Sequence, residues 1–149
     1  MKRYWKKSVS LFLTVALLSM TIILPAGAVD NRSSLYLSYY RAWLTPRSGG
    51  EIAVNIDVQA VGDMDSVGAL SVEMYESADG GVTWSRDGTY TSALFPELLD
   101  HDTYLYAETP IYHEGTPGYK YYAIVEVYAR QGNGSDSRDY QTTTVTAKR

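Results

Sequence analysis

Cysteine is absent from all 149 residues. Its absence excludes a disulfide framework, thiol catalysis and every thiolate metal site, and in an exported chain it fits a bacterial secretion route. Histidine is nearly absent too. Only His101 and His113 exist, both in loop-like stretches beside Asp102 and Glu114, where they read as solvated loop residues. A catalytic triad built on histidine therefore has little material. Beyond the first seven residues there is no basic cluster, and no internal repeat is visible.

What is present starts with a leader. Lys2, Arg3, Lys6 and Lys7 precede an apolar run from Val9 through Leu24, and Pro25-Ala26-Gly27-Ala28 supplies a small-residue A-x-A ending. This pattern predicts a secretory signal helix cleaved after Ala28, leaving residues 29–149 as one domain. A retained membrane anchor is the competing reading, against which stand Pro25 and the polar Asp30-Asn31-Arg32-Ser33-Ser34. No lipobox cysteine is available. Four of the thirteen basic residues lie in the leader, so nine remain against seventeen acids, a net charge near minus eight. Such a surface repels phosphate backbones and anionic headgroups, which excludes nucleic acid as a partner and, once the leader is cleaved, the membrane.

The remainder reads as strand almost throughout. Leu35 to Leu44 is aromatic-rich and ends at Pro46-Arg47-Ser48-Gly49-Gly50. Glu51 to Gln59 alternates strictly, with Ile52, Val54, Ile56 and Val58 on one face. A loop is expected at Gly62-Asp63-Met64-Asp65-Ser66. The next strand, Ala69 to Glu76, is expected to turn Leu70, Val72 and Met74 inward and Ser71, Glu73 and Tyr75 outward. A turn at Ser85-Arg86-Asp87-Gly88 precedes Thr89-Tyr90-Thr91, and Ala93 to Asp100 reads as a connection between sheets that holds at most one helical turn. Tyr104 to Thr109 is a short strand. Tyr119 to Ala129 is a long one, with Tyr121, Ala123, Val125 and Val127 inward and Lys120, Glu126, Tyr128 and Arg130 outward. Gln131 to Ser137 is a turn and Thr142 to Thr146 a closing strand. The expectation is an all-β fold, an antiparallel sandwich of about seven strands of immunoglobulin or fibronectin type III kind, with a barrel as the alternative.

The stretch Ser77-Ala78-Asp79-Gly80-Gly81-Val82-Thr83-Trp84 spells S-x-D-x-G-x-T-W. It resembles the Asp-box, a hairpin motif known from sialidases and other β-propeller hydrolases. Each residue type has a mechanical use: Asp79 accepts from backbone amides ahead of it, Gly81 takes a positive φ, Ser77 ties the incoming strand, Thr83 suits the outgoing one and Trp84 lays a large apolar face under the hairpin. One box in a chain of this size excludes a propeller, which needs four or more blades. A sialidase-like site would also need an arginine cluster and a tyrosine activated by a carboxylate, and the arginines are scattered.

The segment from Gly118-Tyr119-Lys120-Tyr121-Tyr122 through Arg130 to Gly134-Ser135 looks like the last two strands of fibronectin type III-like domains. The combination of leader, DNRSSLYLSYYRAWLTP, one Asp-box and a GxKYYA strand resembles an uncharacterised family of short secreted proteins of Gram-positive bacteria. That resemblance covers nearly the whole chain, implies an extracellular sandwich and lends no activity.

No cofactor is implied. The oxygen-rich Gly132 to Asp139 lacks the spacing of an EF-hand loop and reads as a polar hairpin turn, so no metal site is expected. Paired carboxylates among Glu73, Glu76 and Glu126 are the candidates for glycoside hydrolysis. Thirteen tyrosines lie beyond the leader. Tyr39, Trp43, Tyr75, Tyr122 and Tyr128 are the expected outward rings, able to stack on sugar or peptide if strand register puts them on the wet face. The function expected is therefore extracellular binding or adhesion without catalysis, toward a glycan or a protein. A self-associating envelope or matrix protein and a small glycan-acting enzyme are the alternatives.

Overall fold

The computed structural model describes residues 34–107 and 110–149. The expected leader and its cleavage point lie outside the described residues. Among the described residues, ten antiparallel strands form two sheets packed face to face: β1 (Leu37–Pro46), β2 (Glu51–Met64), β3 (Ser66–Ser77), β4 (Ser85–Thr91), β5 (Leu99–Asp100), β6 (Thr103–Tyr106), β7 (Ile111–Glu114), β8 (Lys120–Gln131), β9 (Gly134–Gln141) and β10 (Val145–Thr146). In the four-stranded sheet, β2 is flanked by β1 on one side and by β6 and β7 end to end on the other. In the six-stranded sheet, β3 and β8 are the central pair, with β4 and β5 sharing one edge and β9 and β10 the other.

The ten strands thus occupy seven lanes, three in one sheet and four in the other. The lane count equals the strand count expected from the sequence, and the excess arises because three lanes are each broken in two. The break between β9 and β10 has a visible cause: the buried Thr142 hydroxyl accepts the Ala123 N–H at 2.9 Å while the Thr142 N–H donates to the Ala123 carbonyl at 2.9 Å. A side chain there replaces a ladder acceptor.

Period-two alternation fills the core. Ile52, Val54, Ile56 and Val58 of β2 face Val72 and Met74 of β3 and Tyr121, Ala123, Val125 and Val127 of β8. Each such aliphatic side chain removed from water contributes about 1.5–3 kcal/mol before entropy is charged. The described residues contain no helix long and apolar enough to cross a membrane.

Five expectations are corrected. Leu70 is not a core residue: the register slips between Ala69 and Ser71, so Val67 and Ala69 point inward before the bulge, Val72 and Met74 after it, and Leu70 is only half-buried. The expected loop at residues 62–66 shrinks to Asp65 alone. There the chain passes from one sheet to the other, and the corner is tied by side chains: Asp65 Oδ2 accepts the Gly132 N–H at 2.7 Å, its own N–H donates to Gln131 Oε1 at 3.1 Å, and His101 Nδ1 donates to its carbonyl at 2.9 Å. The turn at residues 131–137 narrows to Gly132-Asn133, with Gly132 at φ 58°. Ser85 to Gly88 belongs to strand β4 rather than to a turn. Finally, the stretch expected to connect the sheets does not do so: its single 3-10 turn at Pro96–Leu98 joins β4 to β5 along one edge of the same sheet, and the chain crosses to the other sheet at His101-Asp102, between β5 and β6.

Candidate functional site

The Asp-box loop joins β3 to β4 at one end of the six-stranded sheet. Asp79 sits at its centre. Its Oδ1 accepts the Ser77 hydroxyl at 2.7 Å and the Val82 and Thr83 amides at 2.9 Å each, and its Oδ2 accepts the Thr83 hydroxyl at 2.6 Å. Ser77 Oγ accepts the Gly81 N–H at 2.8 Å, and Gly81 holds φ 100°, a conformation that a Cβ would strain. The Thr83 hydroxyl, then the Thr83 amide and the Ser77 hydroxyl, hold the Asp79 carboxyl well below the usual carboxylate range. The loop is therefore a rigid anionic knot bonded to itself, and its mechanical effect is to aim the next side chain, Trp84.

Trp84 is directed onto the wet face of the sheet. There Tyr75 of β3 and Tyr122 of β8 are directly opposed in register and stack with centroids 4.9 Å apart and planes 5° from parallel. Trp84 meets Tyr122 edge-on at 4.7 Å. On the other side Arg86, opposite Tyr75 in β4, carries its guanidinium 5.8 Å from the Tyr75 ring. Arg86 also donates to the Tyr75 hydroxyl at 3.3 Å and pairs with Glu73 at 3.2 Å, while the Tyr75 hydroxyl donates to Glu73 Oε2 at 2.8 Å. Lys120 closes the group, its Nζ donating to the Gly80 carbonyl at 2.7 Å. Loss of water contact, with Tyr75 alongside, pushes the Tyr122 phenol up.

The result is a pile, Arg86, Tyr75, Tyr122, Trp84, lying across three strands. Its internal faces are spent on one another, so it offers a ligand ring edges, hydroxyl tips and a half-exposed guanidinium. The tyrosine–carboxylate pair of Tyr75 and Glu73 has a single arginine beside it, not a cluster.

The other expected rings are not brought here. Tyr128 shares the face but sits six residues along β8 from Tyr122, opposite Ser137. Tyr39 and Trp43 lie on β1, on the outer face of the other sheet, where Arg41 covers Trp43 at 4.4 Å and pairs with Asp57 at 2.7 Å. The candidate carboxylates do not converge: Glu76 accepts from the Tyr121 hydroxyl at 3.1 Å, and Glu126 stands opposite Asp139 on β9. Among the described residues no group of three or more acidic or histidine side chains could hold a metal ion.

Strand period already puts Glu73 on the outward face with Tyr75, two residues away, but it does not join the two by a hydrogen bond, and sequence reasoning does not place Arg86 beside the rings. Arg86 is hidden by the turn-like composition of Ser85 to Gly88.

His113 also departs from expectation. It is buried in β7, not solvated, with Nε2 2.8 Å from Asp87 Oδ2 and Nδ1 2.9 Å from the Tyr90 hydroxyl. A carboxylate oxygen only accepts, so Nε2 is the donor in its contact with Asp87. His101 does lie in an exposed loop, bonded to the Asp65 corner. Compared with known proteins, the chain matches no family model, no curated protein and no solved structure.

Proposed function

We propose that this chain is a secreted, non-catalytic binding module of a Gram-positive bacterium, built as an immunoglobulin or fibronectin type III-like sandwich and recognising an extracellular glycan or protein. The observation that carries the reading is the Arg86, Tyr75, Tyr122, Trp84 pile on a solvent-facing sheet. Rings locked by neighbours lose little entropy on binding, and tyrosine, tryptophan and arginine are the side chains that dominate recognition surfaces. Because stacking faces are already used within the pile, contact runs through edges and polar tips. That favours a protein or a hydroxyl-rich ligand approaching end-on over a sugar laid flat on a tyrosine.

Lane order supports the sandwich kinship. Numbered in chain order, the lanes run first, second, fifth in one sheet and fourth, third, sixth, seventh in the other. Constant-type immunoglobulin domains differ only in placing the fourth lane beside the fifth. The leader pattern supports export. The test is a glycan array together with capture from culture fluid, comparing the wild-type chain with Trp84→Ala and Tyr122→Ala. Binding that survives both substitutions removes the pile as the site, and failure to retain any ligand removes the reading.

A second reading, self-association, rests on β1. This ten-residue strand pairs with β2 alone among the described strands, which makes it an edge long enough to template pairing with a second copy. A strictly monomeric sedimentation profile across concentration eliminates that reading.

A further inference from the structure

A half-open hollow of about 340 Å³ lies away from the pile, where the edge strands β4 and β7 of the two sheets approach each other. It is lined by Tyr90, Phe95, Glu97, Pro110, Ile111 and Tyr112. Three of these six are aromatic, one is an acid, and no cation is among them. Tyr90 and Phe95 meet at 5.2 Å with planes 67° apart, so two walls stand steeply inclined to each other. The hydroxyl of Tyr90 is committed to His113, which fixes its ring and removes that group as a polar contact for a ligand. Tyr112 already accepts one guanidinium, that of Arg47, 4.9 Å from its ring centroid.

Arg47 covers the Tyr112 ring, but the charges on the Tyr90 side of the hollow are acidic. Glu97 lines the hollow, and the charges of Asp87 and Glu114 bear on Tyr90, where they act with burial to disfavour its phenolate. Aromatic rings present negative faces, and rings arranged around a small volume with a carboxylate nearby attract an organic cation more strongly than a neutral body of equal size. A hollow near the lower end of ligand-pocket volumes suits a small solute rather than a polymer.

We propose that this hollow is a binding site for a small alkylammonium solute, held by the rings of Tyr90, Phe95 and Tyr112 with Glu97 as counter-charge. The site is independent of the sheet-face pile and stands or falls separately from it.

The experiment is a backbone-amide chemical-shift titration of the purified protein with choline chloride, set against sodium chloride at equal ionic strength and against the uncharged carbon isostere dimethylbutanol. The expected result is saturable shifts centred on Tyr90, Phe95, Ile111 and Tyr112 with choline, and binding at least about tenfold weaker with the isostere. Glu97→Gln changes an exposed side chain, so its spectrum stays native, and it is expected to weaken choline about fivefold. Equal binding of the isostere, unchanged affinity in Glu97→Gln, shifts that do not saturate, or shifts centred on Tyr75 and Tyr122 would each overturn the proposal.

Discussion

The Nε2 atom of His113 lies 2.8 Å from the Asp87 carboxylate, and this contact joins the edge strand of one sheet to the edge strand of the other. With the Tyr90 hydroxyl on Nδ1, the imidazole latches the side of the sandwich where β4 and β7 meet. His113→Ala removes both bonds, strands the Tyr90 hydroxyl and opens a void, so it should cost about 2–4 kcal/mol. Urea unfolding checks this. A midpoint unchanged from wild type would show that the latch contributes nothing.

Asp79 makes stability depend on acid. Its carboxyl is held below the ordinary value, so as pH falls below about 4 the unfolded chain takes up a proton that the folded chain refuses. The stabilisation is therefore present above that pH and lost as pH drops toward the folded value. Thermal melts of wild type and Asp79→Asn across that range should converge as pH falls. Parallel curves would contradict the assignment.

Gly68 tests the close approach of strand to connection. Its φ is 146°, and a Cβ there would stand 2.1 Å from the Leu98 carbonyl oxygen. Gly68→Ala should cost more than about 4 kcal/mol and leave little soluble protein. Gly49, at φ 78° with open space around it, is the control: Gly49→Ala should cost only about 1 kcal/mol. Soluble yield and denaturant midpoints of the two variants separate steric exclusion from backbone strain alone.

The ring stack separates packing from polar contact. Tyr122→Ala removes the partner of both Tyr75 and Trp84 and should destabilise by about 2–4 kcal/mol. Tyr75→Phe keeps the ring and loses only the hydroxyl shared by Glu73 and Arg86, costing about 1 kcal/mol or less. Guanidinium titrations rank the pair, and a reversed order would mean that the polar network, not the stack, holds the face together.

Alkali should ionise the phenols unevenly. Burial raises Tyr90, Tyr121 and Tyr122 above the ordinary tyrosine value. Their neutral forms are favoured by the fold, so this stabilisation persists below about pH 10 and is lost as pH rises through the raised values. Phenolate absorbance should show a late phase from these three, with Tyr90 and Tyr121 ionising together with unfolding. In Tyr90→Phe the late phase should shrink.

Much of the architecture was legible because strand period is a local property. Ile52 to Val58 and Tyr121 to Val127 alternate without interruption, and both rows are buried as the pattern requires. The bulge at Leu70 was not legible, since one inserted residue leaves the composition of a strand unchanged while inverting the faces on either side of it. The corner at Asp65 was hidden for a different reason. Its Gly and Asp composition signals a loop, yet Gln131, Gly132 and His101 supply the hydrogen bonds from elsewhere in the chain.

For the candidate site, the Asp-box residues and both tyrosines of the pile could be named from sequence, because those depend on spacing within a hairpin or a strand. That Tyr75 meets Tyr122, that Arg86 joins them, and that Tyr39 and Trp43 stand on the opposite sheet could not.

The amino-acid order alone thus determined the β class, the inward rows and the hairpin knot, all of which rest on periodicity and contacts a few residues apart. Which rings share a surface, and that His113 lies buried between a carboxylate and a phenol, was decided only in three dimensions. His113 reaches partners 26 and 23 positions away, and the ring stack spans two strands far apart in the chain. Strand pairing in register sets these relationships, and no local pattern encodes it.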